Sequence, residues 1–135
     1  MGTVIKCKKP RSKGQSLVET AIILPVILLL VLGIIDFGLI FNNYILITNA
    51  SREGARLAAL GGSDSEIIQT VQDMSGTLDL TKMSIDILPS SSMRKRGSQV
   101  KVKITYNAKL ITPLIDKFFT DGIAKLQAES IMRIE

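Results

Sequence analysis

The 135-residue chain has no histidine, no tryptophan and a single cysteine, Cys7. Without histidine, most zinc sites and the Ser-His-Asp and Cys-His nucleophile pairs cannot be assembled. One cysteine excludes an intramolecular disulfide and leaves the redox compartment open. The sequence also offers no Gly-rich phosphate loop, no spaced set of metal ligands and no paired carboxylates placed for acid–base work. An enzyme is not expected, nor a metal or other cofactor. Aromatic residues make up only 4% of the chain, so a surface that stacks nucleobases has little to be built from.

The net charge of +5 would suit a polyanion partner if it lay on a folded face. It does not. Lys6, Lys8, Lys9, Arg11 and Lys13 supply five of the 17 bases, and no acid precedes residue 14. The remaining 12 bases and 12 acids cancel over residues 15–135, so the basicity belongs to a short N-terminal tail. Nucleic acid is not an expected partner.

What the chain has instead is a long apolar run. Thr20–Ile35 carries no charge, Asp36 interrupts, and FGLIF continues to Phe41. As a helix, residues 20–41 would rise roughly 33 Å, enough for a hydrocarbon core of about 30 Å. The run is apolar all round, as expected of a segment solvated by lipid. A secretory signal would have a shorter core, about 7–15 residues, followed by a small-residue cleavage site; here NNYILITNAS follows. Two readings remain: a plain anchor, or a pilin-type helix cleaved on its N-terminal side. The basic tail places the N-terminus in the cytoplasm and the residues beyond about 42 outside it. Cys7 lies in that tail, where it could be acylated, although an unmodified thiol is the simpler expectation.

The junction reads K-G-Q-S-L-V-E-T, residues 13–20. Glu19 stands at the edge of the apolar run, where a carboxylate is costly unless it pairs or reaches the interface. A cut after Gly14 would create an α-ammonium four residues upstream, on its own helix or on a neighbour's. Alternatively, Glu19 sits at headgroup level, favoured by the helix dipole. Pro25 removes a backbone donor and would loosen the helix, either to help curved packing or as a harmless kink. Asp36 either has a packing or partner role or is solvated near the outer interface.

Further on, NASREGARLAALGG places Ala50, Gly54 and Ala58 at four-residue spacing, with Ser51, Ala55 and Ala59 beside them. Small residues at that period let another element approach the helix backbone. Arg52 and Arg56 share a solvated face, Glu53 is within reach of Arg56, and Gly61-Gly62 ends the helix.

These stretches, RSKGQSLVETAIILPVILLLVLGIIDFGLIF and NASREGARLAAL, resemble the TadE-like family of pseudopilins from tight-adherence (Flp) pilus systems. The junction is similar to a prepilin peptidase site, cleaved between Gly14 and Gln15. The resemblance implies a structural subunit that joins or primes a filament. Glu19 would be its pairing carboxylate, and Leu17–Phe41 its lateral packing surface. It further implies three kinds of partner besides membrane lipid: a prepilin peptidase, other pilins or pseudopilins, and an inner-membrane assembly platform. The R-E-G-A-R stretch would mark where the helix emerges to support a head. The alternative is an uncleaved single-pass protein whose outer domain binds a ligand or partner.

In the second half, Ser63-x-x-Glu66 is a capping-box pattern, and Ile67, Ile68, Val71 and Met74 follow at helical spacing. Met83, Ile85 and Ile87 alternate with polar residues up to Pro89, as in a half-buried strand. PSSSMRKRGS reads as a polar turn exposing Arg94, Lys95 and Arg96. QVKVKITYNAKL alternates most strongly and pairs with residues 82–88 as an antiparallel hairpin. LITPLIDKFF is apolar around Pro113 and is expected to pack on the sheet or the long helix. KLQAESIMRIE supplies a third strand. Three strands with one apolar face need cover, which the outer half of the long helix can supply.

The expected class is therefore α+β and type IV pilin-like. Residues 1–14 form a basic prepilin leader, 15–62 a long helix crossing the cytoplasmic (inner) membrane at about 20–41, and 63–135 an extracytoplasmic head. That head comprises about three antiparallel strands and one short helix.

Overall fold

The computed structural model describes residues 13–112 and 122–135. Residues 1–12 of the expected leader and most of the apolar stretch around Pro113 lie outside the described residues. One helix dominates: α1 runs from Lys13 to Ala59, 47 residues, and continues through Pro25. At about 1.5 Å per residue it is roughly 70 Å long. It ends on a Schellman turn. Gly61 takes a φ of +90°, Gly62 donates to Leu57 O at 3.0 Å, and Gly61 donates to Ala58 O at 3.2 Å. Only a residue without Cβ adopts that φ cheaply, so the chain leaves the helix where the glycine pair stands.

The second helix, α2, spans Asp64–Met74. Ser63 caps it, with both halves of the capping box formed: Ser63 Oγ accepts from the Glu66 N–H, and the Glu66 carboxylate accepts from the Ser63 N–H at 2.8 Å. These bonds hold the Glu66 carboxyl below its usual range, first through the Ser63 amide and then through its hydroxyl. Ile67 and Val71, one turn apart, are the residues α2 buries.

Three strands follow: β1 (Met83–Leu88), β2 (Gln99–Lys109) and β3 (Ile123–Arg133). They form one antiparallel sheet in the order β1-β2-β3. Ile104 of β2 stands opposite Ile85 on one side and Ala128 on the other. The period-2 alternation sets the register, since a one-residue slip would turn every apolar side chain to solvent. Val100, Val102, Ile104, Tyr106 and Ala108 all face inward and are buried.

The sheet lies along the outer half of α1. Contacts at three levels fix the direction: Asp36 meets Thr112 just beyond β2, Ser51 meets Ser130 of β3 at 3.0 Å, and the Glu135 N–H reaches Ala59 O. β3 therefore runs with α1 and β2 against it. Each of these strands has 11 residues, about 36 Å of extended chain, close to the roughly 35 Å that α1 rises between Asp36 and Ala59. The matched lengths let the helix cover the sheet from end to end.

Candidate functional site

The residues that separate this chain from an ordinary small domain lie on α1, which has two halves in different surroundings. From Gly14 to Ile35 most side chains are exposed, among them Leu17, Ile22, Ile23, Val26, Leu30 and Ile34. This half alone is 22 residues, roughly 33 Å, and is long and apolar enough to cross a membrane. Gly14, Gln15 and Glu19 are exposed on its first two turns, and Pro25 is exposed within it. Among the described residues no group hydrogen-bonds or ion-pairs with the Glu19 carboxylate. The long apolar helix suggests a membrane-anchored protein.

At Asp36 one face of the helix becomes enclosed. Asp36 is 3% exposed. Its two carboxylate oxygens accept from the backbone N–H of Ile111 at 3.1 Å and of Thr112 at 2.8 Å. The partners come from 75 and 76 residues away, in the segment leaving β2. Asp36 is thus enclosed by the chain's own loop and not solvated at an interface. Two charge-assisted amide bonds offset much of the cost of burying it. The same loop is tied back by the Leu110 N–H donating to Gly122 O at 3.1 Å, just before β3.

Beyond Asp36 a buried stripe continues through Ile47, Ala50, Ser51, Gly54, Ala55, Ala58 and Ala59. Ala50, Gly54 and Ala58 thereby face the head of their own chain. At Gly54 the approach is closest: a Cβ there would lie 2.9 Å from Cγ2 of Val71 and 3.4 Å from methyls of Ile67 and Val102. The small-residue spacing lets α2 and the sheet seat directly on the α1 backbone.

The opposite face of the same turns is open. Phe37, Leu39, Phe41, Tyr44 and Ile45 are exposed. Phe41, Tyr44, Ile45, Thr48, Asn49 and Arg52 line a shallow groove of about 260 Å³. Glu53 and Arg56 neutralise each other, with Arg56 Nε donating to the carboxylate at 3.0 Å. That contact holds the glutamate below its usual range.

A second charged cluster corrects an expectation from the sequence. Arg94 is not an exposed turn residue: its side chain is 6% exposed and ion-pairs with Asp64. Its Nη1 donates to Gly62 O at 2.6 Å and its Nε to Pro89 O at 3.2 Å. Asp64 also accepts from the Ser91 N–H at 3.0 Å. The guanidinium therefore satisfies carbonyls where α1 hands over to α2 and clasps the β1–β2 connection to them. Lys95 and Arg96 do remain exposed.

The amide partners of Asp36 and the Arg94–Asp64 pair are what the sequence reading missed. An acid inside an apolar run signals that a partner is needed, but the identity of two backbone amides has no sequence signature.

A broader open groove of about 620 Å³ lies on the outer sheet face, lined by Leu88, Met93, Lys101 and Ile131 among others, without converging polar groups. Among the described residues no cluster of three or more metal-ligating side chains occurs. No curated protein and no solved structure matches the chain. The model of the TadE-like protein family does match, over residues 14–56, which is α1 from the junction glycine to Arg56, and this likeness points to a Tad pilus-associated protein, a class known for structural and assembly roles.

Proposed function

We propose that the chain is a pseudopilin or minor pilin of a Tad pilus. It enters the cytoplasmic membrane with its basic tail inside and its head outside. A prepilin peptidase then cuts between Gly14 and Gln15. The observation that carries this reading is the division of one continuous helix at Asp36: the distal half is bound to the head, and the proximal half is bare and apolar.

Such a helix has two environments that satisfy it. Lipid covers the proximal half before assembly, and the equivalent halves of neighbouring subunits cover it afterwards, so the same surface serves storage and polymerisation. Transfer between them needs work from an inner-membrane assembly platform. Cleavage would place the new α-ammonium of Gln15 about one helical turn from Glu19. Pairing, within a chain or between neighbours, would then neutralise the one carboxylate of the bare half.

The test is the N-terminus of the protein isolated from its native host. Mass spectrometry should find a chain beginning at Gln15. An intact tail on all of the protein would refute processing and favour an uncleaved single-pass protein with an outer binding domain.

A further inference from the structure

Asp36 fixes more than the internal packing of the head. Its carboxylate holds the Ile111–Thr112 amides against α1 one residue beyond the bare half of the helix. With Glu19 at the inner edge, a hydrocarbon core of about 30 Å counted from Thr20 ends roughly 20 residues on, within one turn beyond that carboxylate. The interfacial layer adds about 5–7 Å on each side of the core, which along a helix is some four or five residues. The passage from core to interfacial layer therefore falls within Phe37, Gly38, Leu39, Ile40 and Phe41.

Three of them are large and exposed: Phe37 at 72%, Leu39 at 45% and Phe41 at 58%. Ile111, tied to Asp36 by its own amide, is 62% exposed at the same level. The head therefore adds an exposed apolar side chain where the bare half of the helix ends, through the residue that Asp36 holds. Side chains of this kind lodge at the boundary between headgroups and acyl chains.

We propose that the base of the head is a lipid-contacting seat. In it Ile111, Phe37, Leu39 and Phe41 sit at the boundary between acyl chains and headgroups of the extracytoplasmic leaflet, and Asp36 is the positioning residue that keeps Ile111 there. The seat restricts how far the head stands off the bilayer and how it leans, so subunits waiting in the membrane share one height. This rests on the membrane reading of α1 given above.

The natural absence of tryptophan makes the test direct. Single-tryptophan variants Val26→Trp, Phe41→Trp, Ile111→Trp and Leu60→Trp of the full chain are reconstituted at high lipid excess. The vesicles are phosphatidylcholine with acyl chains brominated near the ester end. All four positions are exposed, so the substitutions add no bulk to the core. Tryptophan at 111 and at 41 should lose emission at least twofold relative to unbrominated vesicles, and tryptophan at 60 should lose none. Tryptophan at 26, read with chains brominated near their middle, reports insertion independently.

If position 26 is quenched while 111 and 41 are not, the helix is inserted but the seat does not exist. Red-shifted emission at 41 and 111 would then mean that water covers them, and blue-shifted emission that a second copy does. If position 26 is also unquenched, the membrane reading itself fails. Adding Asp36→Ala to Ile111→Trp should weaken quenching at 111 and leave the parallel Val26→Trp pair unchanged. Undiminished quenching at 111 would remove Asp36 from the proposal. Asp36→Asn, which retains one acceptor oxygen, should fall between the two.

Discussion

Gly54 offers the sharpest energetic test of how α1 carries the head. An exposed helical glycine changed to alanine gains up to about 1 kcal/mol from backbone entropy. At Gly54 the new methyl would lie 2.9 Å from Cγ2 of Val71, with Ile67 and Val102 methyls at 3.4 Å. Val71 is β-branched and buried on α2, so it cannot swing aside as a long side chain would. Overpacking of this kind costs about 1–3 kcal/mol. The two effects leave Gly54→Ala destabilised by roughly 0–2 kcal/mol, with the sign opposite to that at an open site. The cleaner quantity is the coupling with Val71. Val71→Ala removes the methyl that is struck, so Gly54→Ala should be better tolerated in that background, with a coupling energy of about 1 kcal/mol or more. Denaturant unfolding of the four proteins in detergent, followed by circular dichroism, measures it. Gly38, which has nothing within 4 Å of a built Cβ, is the control that should lose no stability. A Gly54→Ala protein stabilised by the full entropic gain, with no coupling to Val71, would mean that α2 does not seat on α1 at this turn.

Removing one partner of a buried ion pair costs about 3–5 kcal/mol; with Asp64 about a third exposed, Arg94→Ala should cost nearer 2 kcal/mol. Arg94→Lys should recover only part of this in a thermal melt, because an ammonium cannot reach Gly62 O, Pro89 O and Asp64 together. The Glu66 carboxyl sits below its ordinary value of 4.5, so it stabilises the fold above that pH and the contribution disappears as pH falls through the lower folded value. Glu66→Gln should flatten the acid limb of a stability–pH profile, and an unchanged limb would show that the capping box is not formed in solution. Ser63→Ala should cost about 1 kcal/mol through the lost N-cap. Glu19→Ala should leave cleavage after Gly14 largely intact while incorporation into filaments falls; normal assembly of that variant would refute the charge-pairing role.

The elements were legible where periodicity is strong. The alternation of Val100, Val102, Ile104 and Tyr106 gives β2 and its inward face, and Ser63 with Glu66 gives the start of α2. The long helix follows from its composition, and its end from Gly61-Gly62. The β3 strand begins two residues earlier than the run from Lys125 indicates, because Ile123 and Ala124 complete its pairing with Lys109 and Ala108. What the pattern could not supply was tertiary chemistry. Arg94 sits among Ser, Lys and Gly in a stretch with every mark of a solvated turn. Only the folded chain places it beneath the end of α1, where Gly62 O needs a donor. The spacing of Ala50, Gly54 and Ala58 likewise announced a close approach without saying what approaches. The residues responsible, Val71 and Val102, lie 17 and 48 positions away from Gly54.

The carboxylates of α1 make the remaining argument. Glu53 has Arg56 one turn away, at a position where water would in any case solvate it. Asp36 has no cation, yet it is buried and satisfied, because the loop leaving β2 turns two amides toward it. Glu19 is the third, and among the described residues nothing answers it. Moving outward along the helix, a carboxylate is met first by none of the described residues, then by the backbone of the head, then by a neighbouring side chain. Glu19 is exposed at the edge of the apolar run, where a carboxylate is costly unless it pairs or reaches the interface. On the function proposed above, what answers it is the interface, a newly exposed α-ammonium, or the helix of another subunit. Asp36 thus bounds the part of α1 that the chain satisfies for itself, and on that proposal Glu19 belongs to the part left for lipid or neighbouring subunits to satisfy.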